Sequence, residues 1–198
     1  MNNGDVSRSR RRFLIGATSV VGGVGVVGAA VPFVASWNPS AKAEAAGAPV
    51  SVSIDKIEPG QQVTVEWRGK PVWIVRRTDE MLDNIKKLND TVKDPQSKEA
   101  SQQPGYIEGI YRSLKPDIAV LVGICTHLGC VPTYRPEVAP PDLGPDWLGG
   151  FFCPCHGSHY DLAGRVYQSQ PAPLNLEVPP YRYDSETTLT IGLDPEAA

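Results

Sequence analysis

Two short segments hold all of the cysteine and histidine in this chain, and they constrain its fold more than any other feature. The first, at 125–130, reads CTHLGC, and the second, at 153–160, reads CPCHGSHY. The four Cys and three His of the 198 residues all lie within these two segments. A fold for this chain must therefore bring two loops together around one site of thiol and imidazole chemistry.

Each segment pairs a Cys with a His two or three residues further along the chain. Cys125 with His127 and Cys153 with His156 supply two thiolates and two imidazoles, the ligand set of a Rieske-type 2Fe-2S cluster. A structural Cys2His2 zinc site uses the same ligands, but it usually places both Cys in one half and both His in the other. The mixed halves favour one 2Fe-2S cluster over zinc.

Two cysteines are left over, one in each segment, and they are a second argument against a simple zinc site. In an exported domain, Cys130 and Cys155 are expected to form a disulfide that clamps the two loops together. We interpret His159 as non-ligating, because the four ligand positions are already filled. Gly129 and Gly157 allow the turns that direct the ligands.

The N-terminus combines a basic segment with a long apolar run. Residues 9–14, SRRRFL, resemble a twin-arginine export signal, although Ile15 stands where that signal usually has Lys. A positive-inside cluster ahead of a membrane helix is the alternative. Residues 13–36 carry no charge over 24 positions. A cleavable signal has an apolar part of about 7–15 residues, and a spanning helix needs about 20.

The length of the apolar run therefore predicts a retained transmembrane helix at 13–36, preceded by a cytoplasmic segment at 1–12. Cleavage after the small residues at 41–43 is the alternative. Residues 1–12 carry a charge of +3 and the whole chain −3, so the remainder carries −6. An acidic body argues against a nucleic-acid partner, and the basic end is better explained by a membrane.

Between the apolar run and the rest of the chain, residues 37–49 are mostly small and polar. They are too poor in apolar groups to pack, which predicts a flexible hinge, with a short Ala-rich helix as the alternative. From residue 50 onward the chain changes to short strand patterns, and its high Gly and Pro content indicates a loop-rich β fold. We assign 50–198 to a single head domain.

The head domain is predicted to be all-β. Strands are expected at 50–54, 62–67, 71–75, 118–124, 165–167, 174–178, 181–183 and 188–193. Apolar residues at helical spacing predict a helix at 80–88, and a polar loop follows at 89–105. The expected fold is an antiparallel β-sandwich with one helix–loop insertion and a cluster-binding subdomain at about 121–173.

With these motifs the chain resembles the Rieske iron–sulfur subunits of ubiquinol–cytochrome c reductase, the respiratory cytochrome bc complex, over essentially its whole length. Ring-hydroxylating dioxygenases and their ferredoxins also use paired Cys and His ligands, but they typically lack the two disulfide cysteines and any anchor. The resemblance implies the four ligands named above and the pairing of Cys130 with Cys155.

The resemblance also implies roles for residues around the cluster. Ser158 would donate a hydrogen bond to a bridging sulfide, and Tyr160 would donate one to the sulfur of Cys125. Leu128 would cover the cluster at a docking face. A proline loop containing Pro171 and Pro173 would lie over the cluster. That loop usually begins with Gly in the family, whereas this chain has Gln170.

The function implied is electron transfer from quinol. Two neutral imidazoles in place of thiolates raise the cluster potential from about −400 mV into a range of roughly −150 to +300 mV. Imidazole also keeps a second nitrogen that can exchange a proton. The resemblance implies that His156 contacts ubiquinol, that the cluster accepts an electron, and that the head swings on its hinge to reduce cytochrome c1. The process belongs to respiratory or photosynthetic electron transport coupled to proton translocation.

The implied partners are cytochrome b and cytochrome c1 in a dimeric multisubunit complex of the bacterial inner membrane. The N-terminus would be cytoplasmic and the head domain periplasmic. The alternatives are a free-standing exported electron carrier, the Rieske subunit of another exported oxidoreductase such as arsenite oxidase, and a zinc-stabilised binding module.

Overall fold

A computed structural model describes residues 7–195 of the chain, which divide into two units at Met1–Ala45 and Ala46–Ala198. The first unit contains helix α1, Arg8–Ala35, whose 28 residues extend about 42 Å at 1.5 Å per residue. Its side chains are exposed, and its most apolar window has a mean hydropathy of 2.0. Among the described residues it is the one helix long and apolar enough to cross a bilayer of about 30 Å. The predicted N-terminal apolar helix is confirmed.

A second short helix, α2, covers Ala41–Gly47 within the predicted hinge. Ala is the strongest helix former, and the side chain of Ser40 accepts a hydrogen bond from the amide of Ala43 at 3.2 Å near the start of the helix. The structure thus contains the short Ala-rich helix that the sequence left open as the alternative to a flexible hinge. A seven-residue helix is marginal on its own in water, because too few hydrogen bonds offset its nucleation cost.

The second unit has three antiparallel sheets of three strands each, in the orders β1-β9-β8, β2-β3-β4 and β5-β6-β7. The nine strands found among the described residues are β1 Val50–Ser53, β2 Gln62–Trp67, β3 Lys70–Arg76, β4 Ile118–Val122, β5 Thr133–Arg135, β6 Gly150–Cys153, β7 Ser158–Asp161, β8 Tyr181–Tyr183 and β9 Thr188–Ile191. The expected all-β class with antiparallel sheets is confirmed.

The centre of the head is formed by β3 and β4. All five residues of β4 and four consecutive residues of β3 are buried, as expected of a central sheet covered on both faces. Trp73 of β3 stacks on Phe151 of β6 with ring centroids 4.8 Å apart, which joins the central sheet to the β5-β6-β7 sheet. Gly123 follows β4 where a Cβ would collide with the Trp73 indole, so this position requires glycine.

The insertion begins with helix α3, Asp79–Lys87, close to the predicted 80–88. Thr78 caps it by accepting a hydrogen bond from the Met81 amide at 3.3 Å. Within the predicted loop at 89–105, the structure adds one 3-10 turn at Ala100–Gln102.

Two predicted strands, at 165–167 and 174–178, are wrong. In their place the structure has isolated bridges, such as Tyr160 with Val166, and single hydrogen bonds, such as the Val122 amide to the Glu177 carbonyl at 2.8 Å. Prolines at 171, 173, 179 and 180 flank 174–178 on both sides and lack the N–H that a regular ladder requires, so a strand cannot extend past this segment. The predicted strand at 118–124 ends at Val122.

Candidate metal centre

The first ligand loop follows β4 and is closed by its own backbone. The amide of Cys125 donates to the carbonyl of Cys130 at 2.7 Å, and the amide of Gly129 donates to the carbonyl of Cys125 at 3.0 Å. Gly129 has a φ of 82°, in the left-handed region that glycine adopts without strain. The loop is therefore a tight turn that holds Cys125 and His127 close together.

The second ligand loop is the turn between β6 and β7. Cys153, the last residue of β6, pairs with Ser158, the first residue of β7. The amide of Gly157, at φ 78°, donates to the Cys153 carbonyl at 2.9 Å. This hairpin places Cys153 and His156 in one tight turn, as the spacing of the second segment predicts.

The structure brings the four predicted ligands together as two pairs, the two cysteines and the two histidines. Cys125 and Cys153 are buried and have free thiols, and the pKa of Cys153 is raised by burial, with a further contribution from the neighbouring Cys125. The His127 and His156 rings meet edge to face with centroids 4.6 Å apart. His127 is partly buried and its Nδ1 finds no hydrogen-bond partner among residues 7–195, whereas His156 is exposed.

This donor set fits a group that takes two sulfur and two nitrogen ligands. A buried imidazole nitrogen without a partner is costly unless it binds something, and a metal ion would satisfy it. The sulfur atoms of Cys130, Cys153 and Cys155 also lie within 4.8 Å of one another. That trio is not a metal site by itself, because two of its three sulfur atoms are bonded to each other.

The disulfide joins Cys130 of the first loop to Cys155 of the second, as predicted. Leu128 extends from the tip of the first loop and is 72% exposed, and Val131 beside it is 52% exposed. The two cross-linked loops therefore expose apolar side chains as well as His156.

Tyr160 lies against the first loop from β7. Its hydroxyl is 3.2 Å from the sulfur of Cys125 and accepts a hydrogen bond from the amide of Thr126, also at 3.2 Å. Burial raises the pKa of Tyr160, so the phenol keeps its proton at neutral pH. Thr126, which the sequence did not single out, donates from its side chain to the carbonyl of Leu174 at 2.6 Å. These contacts hold the first loop against β7 and the segment after the proline loop.

Ser158 is fully buried and faces the proline loop. Its Oγ accepts a hydrogen bond from the amide of Ala172 at 3.1 Å, so the serine proton remains free to donate elsewhere. Ala172 is buried between Pro171 and Pro173, which are exposed. The predicted proline loop therefore reaches the second ligand loop through one backbone amide.

His159 lies on the opposite face of β7, because side chains alternate along a strand. Its ring contacts Trp147, Phe152 and Tyr167, with centroids 5.4 to 5.8 Å away. Burial lowers its pKa. This aromatic setting is compatible with the interpretation of His159 as non-ligating.

Buried arginines support the site, and sequence reasoning missed them. Arg165 forms an ion pair with Asp161 at 2.8 Å, with both side chains fully buried. Arg112 donates to the carbonyls of Ala163 at 3.1 Å and Leu176 at 2.7 Å. Burial lowers the pKa of Arg112 to about 10, which leaves it charged at neutral pH. A single arginine in a loop segment gives no local sequence pattern from which its burial could be predicted.

Known proteins define the class to which this fold and donor set belong. Residues 49–181 match the family described as Rieske [2Fe-2S] domain, whose cofactor is one 2Fe-2S cluster. Residues 1–40 match the family described as Ubiquitinol-cytochrome C reductase Fe-S subunit TAT signal, which confirms the twin-arginine interpretation of the N-terminus.

Two individual relatives narrow the family further. The ubiquinol-cytochrome c reductase iron-sulfur subunit of Allochromatium vinosum is 57% identical over 189 residues, which cover 96% of this chain and 91% of that protein. The subunit of the same name from Bradyrhizobium diazoefficiens is 42% identical and covers 93% of this chain and 94% of its own length. The chain belongs to the family of ubiquinol-cytochrome c reductase iron–sulfur subunits.

Among solved structures, a chain of a hyperthermophilic respiratory Complex III is 29% identical, with a TM-score of 0.47. The match covers 90% of this chain and 98% of that one.

Proposed function

We propose that Cys125, His127, Cys153 and His156 hold the 2Fe-2S cluster, and that the chain transfers electrons from ubiquinol to cytochrome c1. The observation that carries this proposal is that two free, neighbouring thiols and two imidazoles in edge-to-face contact lie on two loops joined by a disulfide. Family membership supports the same reaction, because the relatives are subunits of a ubiquinol–cytochrome c reductase. When bound, a Rieske cluster supplies a one-electron acceptor of relatively high potential.

The two histidines have different roles in this proposal. His156 is exposed, so its free ring nitrogen can contact a quinol hydroxyl and take its proton. His127 is partly buried and serves as a ligand only. The Tyr160 hydroxyl lies at the Cys125 sulfur and Ser158 keeps a free proton, so each can donate a hydrogen bond to a sulfur atom, which would stabilise added negative charge and raise the reduction potential.

The proposed assembly follows from the family and the N-terminal segment. Residues 1–12 lie in the cytoplasm, 13–36 cross the bacterial inner membrane, 37–49 form the hinge, and 50–198 form the periplasmic head with its cluster-binding subdomain at about 121–173. Cytochrome b and cytochrome c1 are the proposed partners in a dimeric multisubunit complex. Four arginines ahead of the uncharged run at 13–36 support this orientation, because positive charge is retained on the cytoplasmic side.

The test is to express the full chain and measure iron, acid-labile sulfide and the electron paramagnetic resonance spectrum of the reduced protein in membranes. We expect a Rieske-type signal in the wild type, its loss in Cys153→Ser, and its retention in the matched control His159→Gln. Copurification with b- and c-type cytochromes tests the partners. Bound zinc without iron, or a signal that survives in Cys153→Ser, would contradict the ligand assignment.

A further inference from the structure

One lysine from the insertion reaches the proline loop. Lys93 Nζ donates to the carbonyl oxygen of Gln170 at 3.0 Å and to that of Ala172 at 2.7 Å. These two carbonyls lie on either side of Pro171, so one ammonium group binds both ends of the turn. Hydrogen bonds from a charged donor are stronger than those between neutral groups.

The backbone of Lys93 is itself fixed. Its amide donates to the Val166 carbonyl at 2.9 Å, and the preceding residue, Val92, forms an antiparallel bridge with Tyr167. This part of the insertion, just after α3, therefore runs beside the segment that follows β7. The lysine side chain extends from this anchored backbone to the loop.

The proline loop needs hydrogen bonds from side chains outside it. Pro171 and Pro173 lack an N–H group, so the loop has few donors with which to fix itself. Gln170 supplies one further tie, because its Oε1 accepts a hydrogen bond from the His159 amide at 3.3 Å. A glycine, the usual family residue at this position, has no side chain to make that contact.

The loop that Lys93 holds determines the surroundings of Ser158. The amide of Ala172 donates to Ser158 Oγ at 3.1 Å, and both residues are fully buried. Because this amide occupies an acceptor position of the hydroxyl, it directs the serine proton away from the loop. A displaced Ala172 would leave that proton free to rotate.

We propose that Lys93 is a positioning residue of the iron–sulfur centre, which fixes the 170–173 loop so that the Ala172 amide orients the Ser158 hydroxyl. The proposal rests on the proposed ligand set. Lys93 acts through Ala172 and Ser158, and its effect on the cluster disappears when the Ser158 hydroxyl is absent.

The experiment uses the full-length, cluster-loaded chain in detergent and measures its reduction potential. We expect Lys93→Met to lower the potential and Lys93→Arg to restore it, because a guanidinium can donate to both carbonyls. Lys98→Met removes the same charge from an exposed site five residues away and should leave the potential unchanged. Ser158→Ala should lower the potential, and Lys93→Met should add nothing in that background.

Hydrogen exchange of the same proteins gives a readout that does not depend on the cluster potential. Peptides covering residues 168–176 should exchange about tenfold faster in Lys93→Met, as loss of charge-assisted hydrogen bonds predicts. An unchanged potential in Lys93→Met would overturn the proposal. An equal drop in the wild-type and Ser158→Ala backgrounds would also overturn it, because Lys93 would then act only as a distant charge. A wild type without a Rieske signal would count against the ligand set instead.

Discussion

The two ligand loops share one backbone arrangement but differ in what supports them. In each loop a left-handed glycine donates its amide to the carbonyl of the proposed ligand cysteine four residues earlier, from Gly129 to Cys125 and from Gly157 to Cys153. The second loop closes a hairpin between two strands of one sheet. The first loop leaves the β2-β3-β4 sheet and enters the β5-β6-β7 sheet, so no strand pair closes it.

The first loop therefore depends on contacts with residues far away in sequence. These are the disulfide to Cys155, the Tyr160 hydroxyl at Cys125 and Thr126, and the bond from Thr126 to the Leu174 carbonyl. A hairpin can form locally, whereas a loop that crosses between sheets forms only when both sheets are in place. We expect loss of the distant contacts to affect the first loop more than the second.

The largest expected effect is that of the disulfide. The double substitution Cys130→Ala with Cys155→Ala should reduce the free energy of unfolding of the head by roughly 3 kcal/mol, because the bond closes a loop with a sequence separation of 25. Denaturant unfolding followed by near-UV circular dichroism measures the loss. Hydrogen exchange should accelerate more at 123–132 than at 153–158. Equal acceleration of the two loops would contradict the comparison.

The two glycines provide a matched pair. At Gly129 and at Gly157 a Cβ would meet no atom within 4 Å, so alanine costs only the left-handed backbone strain, about 1 to 2 kcal/mol at either position. Denaturant unfolding should give similar losses for the two variants. The cluster should nevertheless be lost faster from Gly129→Ala, which visible absorption at fixed temperature records. Faster cluster loss from Gly157→Ala would contradict our inference that the first loop depends more on contacts with distant residues.

Removal of the Tyr160 hydroxyl tests a single contact of the first loop. Tyr160→Phe leaves the Thr126 amide without its partner and should cost about 1 kcal/mol of unfolding free energy. The reduction potential should fall as well, because a hydrogen bond at the Cys125 sulfur is lost. Tyr167→Phe is the control, since the Tyr167 hydroxyl has no hydrogen-bond partner among the described residues. A control that lost as much stability as Tyr160→Phe would refute this account of the contact.

The smallest effect concerns the aromatic surroundings of the second loop. Burial lowers the pKa of His159 in the folded head, so the unfolded chain takes up this proton first as the pH falls. Stability should be complete above the ordinary histidine value of about 6.5 and should decline below it. His159→Phe should remove that part of the decline. Unfolding curves between pH 7 and pH 5 test this, and an unchanged pH dependence in the variant would contradict it.

Features carried by local sequence patterns could be predicted. The bounds of β2 and β8 match the prediction, because each is a short alternating segment between turns. The apolar helix follows from a run without charges, and the disulfide from the two cysteines that remain after the ligands are assigned. The positions of the proposed ligands could also be predicted from local sequence, since the spacing within each segment already places a Cys and a His on one loop.

Features set by distant contacts could not be predicted. The strands β6 and β7 read GFFC and SHYD, which lack the apolar–polar alternation of β2, and β5 has only three residues between two prolines. Lys93 and Thr126 were missed for another reason. Each contributes through carbonyl groups of the segment around the proline loop, 48 to 79 residues away in sequence. No periodicity within one segment reports such a contact.

The central claim is that one cysteine and one histidine from each loop hold the cluster. Electron–nuclear double resonance on the reduced full-length chain, with 15N-labelled histidine, tests it most directly. We predict coupling to nitrogens of two coordinated histidines in the wild type and an unchanged spectrum in His159→Gln. Coupling to fewer than two histidines, or a changed spectrum in His159→Gln, would contradict the assignment of His127 and His156.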